Sequence, residues 1–414
     1  MHQHPEPGAK LEIAQVFHRF AGAYRDKNTL ADEPDRVLRD LERCRTAALG
    51  EHLYTCQDCG SEVPLYNSCL NRHCPTCQGP AQYHWIAERQ RRRLSTAYFH
   101  MVFTLPAVLR PVVFAHRRIL LNLLFSSVAE TLHAFAADRK RLGAQIGFTL
   151  VLHTWRRDLL YHPHLHAIVT GGGLSADACR WIDVPNEDFL FPVPAVSKLF
   201  RGKFLHGFID LWKAGKIHLT EHQSRQLVRE AKKQDWVVFA KKPFGGPQQI
   251  VNYLGRYTHR VAISSSRLLS ISDDRIVFRT RGEKTCSLTP EEFLRRFLLH
   301  VLPHQFFKIR HYGLLAPANV NTRLVRAQEL LGPPPAQNDP TDSACPAPDD
   351  TTSAGLTTVA DKDKTVDRSA PRCPHCGGRL LRLTPRRFHQ APRPPPQTQR
   401  ERTSDAILAI HDSI

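Results

Sequence analysis

Four cysteines in two CxxC pairs, Cys56 with Cys59 and Cys74 with Cys77, constrain this chain more than any other feature. Each pair sets two thiols on one tight turn, and two such turns facing each other make a tetrahedral zinc site. The loop between the pairs has nearly the length found in zinc ribbons. Cys69 and His73 lie close enough to replace one ligand. A site closed by four side chains leaves no position open for a reactant, so its expected role is folding and DNA contact. A third pair, Cys373 and Cys376, has no second pair after it, and Cys345 or another chain would have to complete it. The N-terminus, MHQHPEPGAK, lacks a secretory pattern, so the 11 cysteines are expected in a reducing compartment, where metal accounts for them better than disulfides do.

The 414 residues have room for two or three domains, and 42% hydrophobic with 23% charged residues is an ordinary globular balance. The formal net charge of +18 is not ordinary. Such an excess repels itself unless a polyanion is the working partner, and nucleic acid is the usual one. The basic residues come in runs: Arg89, Arg91, Arg92 and Arg93, and later Lys241 with Lys242. No apolar run approaches the roughly 18 residues of a membrane span. The best one, Ile119 to Leu124, is flanked by Arg117 and Arg118. A cytoplasmic, nucleoid-associated protein is the expectation.

Periodicity divides the chain into a helical segment over 1–50, a zinc-binding module with a basic helix over 51–95, a larger α+β domain over 96–315, a disordered linker over 333–371 and a tail over 372–414 that carries the single late CxxC. Leu11, Val16, Phe17 and Phe20 mark one helical face, continued by Leu38 and Leu41. Strands are predicted over 99–105, 146–152, 164–170, 236–240, 268–271 and 275–280, and helices over 82–95, 109–141, 189–215, 248–258 and 291–302. The runs at 146–152 and 164–170 have hairpin spacing, with Gly171, Gly172 and Gly173 expected to end the second. This interleaving predicts a central, largely antiparallel sheet with flanking helices.

Two segments carry the chemistry. In YHPHLHAIVTGGG, His164 and His166 are two apart, so on a strand both point to one face and can hold one divalent ion. In QQIVNYLGRYTHRVA, Tyr253 and Tyr257 are four apart and share one helix face, with Arg256, His259 and Arg260 beside them. A phenol attacks a phosphodiester more readily when a metal and nearby cations stabilise charge on the phosphate.

The ordered set of CxxC module, YHPHLHAIV before glycines, and YLGRYTHRVA resembles the two-tyrosine rolling-circle insertion-sequence transposases of the HUH endonuclease superfamily; YNSCLNRHCPTCQ (66–78) and FHMVFTLP (99–106) are similar too. The resemblance covers roughly residues 15–315. It implies an HUH endonuclease-like sheet with the tyrosine helix across its face, and an N-terminal transposase zinc-binding domain. It also implies a metal-dependent tyrosine transposase that nicks and rejoins single-stranded DNA through a 5′-phosphotyrosine. By resemblance, His164 and His166 are ligands of Mg²⁺ or Mn²⁺, and Tyr253 and Tyr257 are the nucleophiles. The third ligand is open among His100, Asp158, His162, Asn252 and His259. The arginines at 89, 91, 92, 93, 256 and 260, with Lys241 and Lys242, are the expected DNA contacts. Cys56, Cys59, Cys74 and Cys77 are the expected zinc ligands. The rival readings are a zinc-dependent DNA-binding regulator without catalysis, and a replication initiator or relaxase of the same superfamily.

Overall fold

The computed structural model describes residues 11–186, 190–241, 262–333 and 372–382. In chain order these form α1 (Ile13–Lys27), α2 (Asp32–Arg43), β1 (Glu51–Cys56), β2 (Glu62–Tyr66), α3 (Gln78–Arg91), β3 (Tyr98–Thr104), α4 (Arg110–Ala115) and α5 (Arg117–Ala137). There follow β4 (Gln145–Trp155), β5 (Tyr161–Leu174), β6 (Trp181–Asp183), α6 (Val193–Lys213), α7 (Glu221–Lys233) and β7 (Val238–Lys241). The remainder is β8 (Leu268–Ile271), β9 (Ile276–Arg279), β10 (Thr285–Leu288), α8 (Pro290–Leu298), β11 (Ile309–Gly313), α9 (Arg323–Leu331) and β12 (Leu380–Arg382). Two compact units result. One takes the described residues of Met1–Cys77, Ser265–Leu294 and Asp342–Thr403, and the other takes those of Gln78–Ser264 and Arg295–Thr341.

The larger unit is built on an antiparallel sheet of order β11-β4-β5-β3-β7, with β6 paired to β5. Alternation sorts its side chains. Phe99, Met101, Phe103, Phe148, Leu150, Leu152, Leu165, Ala167 and Val169 face one way and join the main core beneath α5 and α6. Helix α5 supplies Leu120, Leu121, Leu124, Phe125, Val128 and Leu132, all fully buried. At 21 residues it is long and apolar enough to cross a membrane by length and composition, which corrects the sequence reading that no such segment exists. Its apolar surface is taken up by the sheet and α6, as in the core helix of a folded domain. The predicted helix over 109–141 is broken at His116, whose backbone leaves the helical region (φ −115°, ψ 42°). Helix α7, opened by a reciprocal Thr220–Gln223 capping box, has no counterpart in the predicted elements.

The three glycines do not end β5, which runs on through them to Leu174. They are there for room. A Cβ would stand 2.9 Å from the Ala97 carbonyl oxygen at Gly171, 2.6 Å from Trp181 Nε1 at Gly172, and 2.7 Å from the Gln145 carbonyl oxygen at Gly173. The glycines let neighbouring chain press onto the strand on both sides.

In the smaller unit α1 begins with a reciprocal Glu12–Gln15 capping box and buries Ile13, Val16, Phe17 and Ala21. Helix α2 buries Val37, Leu38 and Leu41. The hairpin of β1 and β2 is extended by β12 into a three-stranded sheet of order β12-β1-β2, and β8, β9 and β10 form a second such sheet. The late segment 372–382 is therefore part of the cysteine module's own sheet.

Candidate functional site

On the sheet face opposite the main core, β5 reads as an alternation of buried Tyr161, Pro163 and Leu165 with partly exposed His162, His164 and His166. Pro163 costs the sheet little, because the β4–β5 register slips between His153 and Trp155, so the missing N–H falls at a bulge. Cross-strand neighbours of an antiparallel pair share a face, and His153 of β4 stands opposite His164. His153, His164 and His166 each bring a ring nitrogen within 4.8 Å of the others. The ring centroids of His153 and His166 are 4.3 Å apart, and those of His164 and His166 are 5.0 Å apart.

Their neighbours fix which nitrogen faces the cluster. His164 Nδ1 donates to the His162 carbonyl at 2.7 Å, which keeps Nε2 unprotonated. His166 Nδ1 lies 2.8 Å from His100 Nε2, leaving its own Nε2 for a metal. Burial pushes His100 and His164 down to about 4, and drives His166 well below its usual value. His100 is buried, while His164 and His166 are crowded by protein with part of their edge reaching solvent. His164 and His166 are therefore neutral at pH 7, the form that binds a metal without shedding a proton.

Of the open candidates for third ligand, His162 contributes its carbonyl and His100 stands behind His166. Asp158 is paired with Arg156 at 2.8 Å. His153, absent from that set, completes the cluster. It was within reach of sequence reasoning: carrying the predicted strand 146–152 one residue further places it across the hairpin from His164. Asn252 and His259, with Tyr253, Tyr257, Lys242, Arg256 and Arg260, lie outside the described residues. Among the expected DNA contacts that are described, Lys241 is exposed and pairs across the strands with His100 on the histidine face. Arg91 and Arg92 both reach Glu88, and Arg89 NH1 lies 3.2 Å from His311 Nε2 while its guanidinium stacks over Trp85.

The cysteines do not gather as expected. Cys74 and Cys77 join Cys44 and Cys69, whereas Cys56 and Cys59 join Cys373 and Cys376. The single site of Cys56, Cys59, Cys74 and Cys77 is corrected to two quartets. Cys56 and Cys59 sit at the turn of the β1–β2 hairpin, whereas Cys74 and Cys77 sit in the turns that lead into α3, and the two pairs meet different partners. In the first quartet Sγ of Cys77 is 3.4 Å from Cys44 and 3.7 Å from Cys69, and Cys74 is 3.6 Å from Cys44. A zinc ion with sulfurs at about 2.3 Å spreads them about 3.8 Å apart, so these positions fit the ion. Burial pushes Cys44 up to about 12 while a hydrogen bond from Cys69 pulls Cys74 down to about 5, a division of charge that a dication removes. His73 bonds Asn71 and is not in the set.

A family model described as "Transposase zinc-binding domain" matches residues 16–105, and one described as "Putative transposase" matches residues 147–323, which include the three histidines. "Putative transposase y4qJ" of Sinorhizobium fredii is 41% identical over 88% of this chain and 92% of its own length. The chain belongs to this transposase family. A second relative, "Transposase for insertion sequence element IS801" of Pseudomonas savastanoi pv. phaseolicola, is 31% identical over 71% of this transposase and 75% of that protein. A solved conjugative relaxase in complex with oriT DNA overlaps 60% of the transposase and 95% of that chain at 11% identity and a TM-score of 0.24, too slight a likeness to carry an argument.

Two expectations arise here. His100→Ala removes the group that orients His166, and loss of such a partner weakens metal binding about 10–100-fold. Calorimetric titration with Mn²⁺ checks it, and an unchanged affinity would show that His166 needs no support. The second concerns pH. His300, 2% exposed, is held between Thr154 Oγ1 and the Leu159 carbonyl, and burial pushes it down to about 4. A base whose folded pKa lies below its unfolded value of about 6.5 takes up protons on unfolding. Its contribution is therefore complete above about pH 6.5 and is lost as pH falls toward 4, on the order of 3 kcal/mol for this one ring. The melting temperature of metal-free protein should drop across that window; a flat profile from pH 7 to 4.5 would contradict it.

Proposed function

We propose that this transposase cuts and rejoins single-stranded DNA at the ends of an insertion sequence through a covalent 5′-phosphotyrosine link. The reading rests on one observation above all: three imidazoles converge on one sheet face, inside the segment matched by the transposase family. A protein that only bound DNA would have no use for them. The chain passes from Lys241, cross-strand neighbour of His100, directly into the residues that carry Tyr253 and Tyr257.

In this scheme His153, His164 and His166 hold a divalent cation, which when bound polarises the scissile phosphate and offsets its charge. Three nitrogen ligands favour Mn²⁺ over the harder, oxygen-preferring Mg²⁺. Tyr253 or Tyr257 attacks phosphorus through Oη, its phenolic proton passing to a base or water. The P–O3′ bond breaks, leaving a free 3′-hydroxyl and the 5′-phosphate on the tyrosine. The link conserves the bond energy, so rejoining needs no nucleotide cofactor. The second tyrosine lets another strand be cut while the first stays loaded. Lys241, Lys242, Arg256 and Arg260, with the arginines at 89 and 91 to 93, track the DNA backbone, and the cysteine module reads an element end. The site of action is the cytoplasm, on the nucleoid. Incubation with a single-stranded oligonucleotide carrying an element end should give a denaturant-resistant protein–DNA species with Mn²⁺ and none with chelator. Its formation in chelator would remove the metal from the scheme.

A further inference from the structure

The turns at 56–61 and 373–378 are one structure built twice. In the first, Cys56 N–H donates to the Ser61 carbonyl at 2.9 Å and Gly60 N–H donates to the Cys56 carbonyl at 3.0 Å. In the second, Cys373 N–H donates to the Gly378 carbonyl at 2.9 Å and Gly377 N–H donates to the Cys373 carbonyl at 2.9 Å. Gly60 and Gly377 both lie in the left-handed region, at φ 70° and 75°. The two turns face each other. Cys56 Sγ is 3.4 Å from Cys376 Sγ, and Cys59 Sγ is 3.7 Å from Cys373 Sγ. A disulfide requires about 2.0 Å, whereas four sulfurs around zinc stand about 3.8 Å apart. The approach is close: a Cβ on Gly378 would come within 3.0 Å of Cys56 Sγ. Cys59 Sγ also lies 3.2 Å from the Ser61 hydroxyl.

We propose that Cys56, Cys59, Cys373 and Cys376 bind a second structural zinc, which clasps the segment around β12 onto the N-terminal hairpin across 314 residues of sequence. Cys373 and Cys376 lie beyond both family-matched segments. What else holds the segment is slight. Strands β12 and β1 share three residue pairs, and the local core is Cys56, Val63, Cys373 and Leu380 with Tyr54 and Leu65 beside it. A cluster of that size does not order a short piece of chain without a metal or a covalent staple. Soft thiolates in a tetrahedron select zinc over the hard cations.

The test uses the full-length protein and reads metal content and thiol protection, neither of which depends on DNA cleavage. The double substitution Cys373→Ser/Cys376→Ser should lower zinc by one equivalent per chain. It should also cut the thiolate charge-transfer absorption of the cobalt-substituted protein by about half. Cys56 and Cys59, shielded from iodoacetamide in the unaltered protein, should become alkylated, while Cys44, Cys69, Cys74 and Cys77 stay shielded. Unchanged zinc with Cys56 and Cys59 still shielded would overturn the clasp. If the double variant does not accumulate as folded protein, Cys376→His decides. An imidazole is a zinc ligand, so that variant should keep its metal and shift the cobalt spectrum toward a three-sulfur, one-nitrogen site. An unshifted spectrum at full zinc content would show that Cys376 is no ligand.

Discussion

Replacing Tyr253 and Tyr257 together by Phe should abolish the covalent protein–DNA adduct, a fall of at least roughly a thousandfold in strand cleavage. Removing the nucleophile leaves only what binding and electrostatic stabilisation supply, and no other side chain in the scheme takes its place. The substitution keeps both rings and deletes two oxygens, so circular dichroism and oligonucleotide binding should match the unaltered protein. Each single variant should still form an adduct through the remaining phenol, yet lose the ability to join two ends. The assay is denaturing electrophoresis with end-labelled single-stranded DNA. An adduct from the double variant, at any appreciable rate, would show that the nucleophile lies elsewhere.

His153→Ala should lower metal-dependent cleavage about as far as His164→Ala, on the order of a thousandfold, because a ligand lost from a catalytic ion forfeits several kcal/mol of charge stabilisation. His153 is buried on β4 and stacks on Trp155 with centroids 4.6 Å apart, so the alanine variant also opens a hole in the sheet. His153→Gln separates the two effects: it fills the space and keeps a polar atom but binds metal poorly. Both variants should recover activity as Mn²⁺ is raised, and neither should lose affinity for DNA in chelator. Full cleavage by His153→Gln at low Mn²⁺ would exclude the residue from the ligand set.

Much of the larger unit was legible because its signals are local. The strand of His164 and His166 declares itself through two-residue alternation, and α5 through its apolar repeat. The glycines of β5 misled for an equally local reason. Without the positions of Ala97, Trp181 and Gln145, three glycines read as an end, although they mark a crowded middle. His153 lay one residue beyond the predicted strand, and only the register across the hairpin makes it a partner of His164.

The sequence by itself determined where most of the candidate groups stand along the chain: thiols in tight-turn pairs, imidazoles on a strand, and a surplus of positive charge suited to a polyanion. Side-chain type and short-range spacing carry that information, and both are properties of a few consecutive residues. Tertiary structure alone decided the grouping. Nothing local shows that Cys44 joins Cys69, Cys74 and Cys77, or that Cys373 returns to Cys59 across a sequence separation of 314. Which turns meet is set by strand pairing and by burial shared among distant segments, and that free energy belongs to the folded chain as a whole.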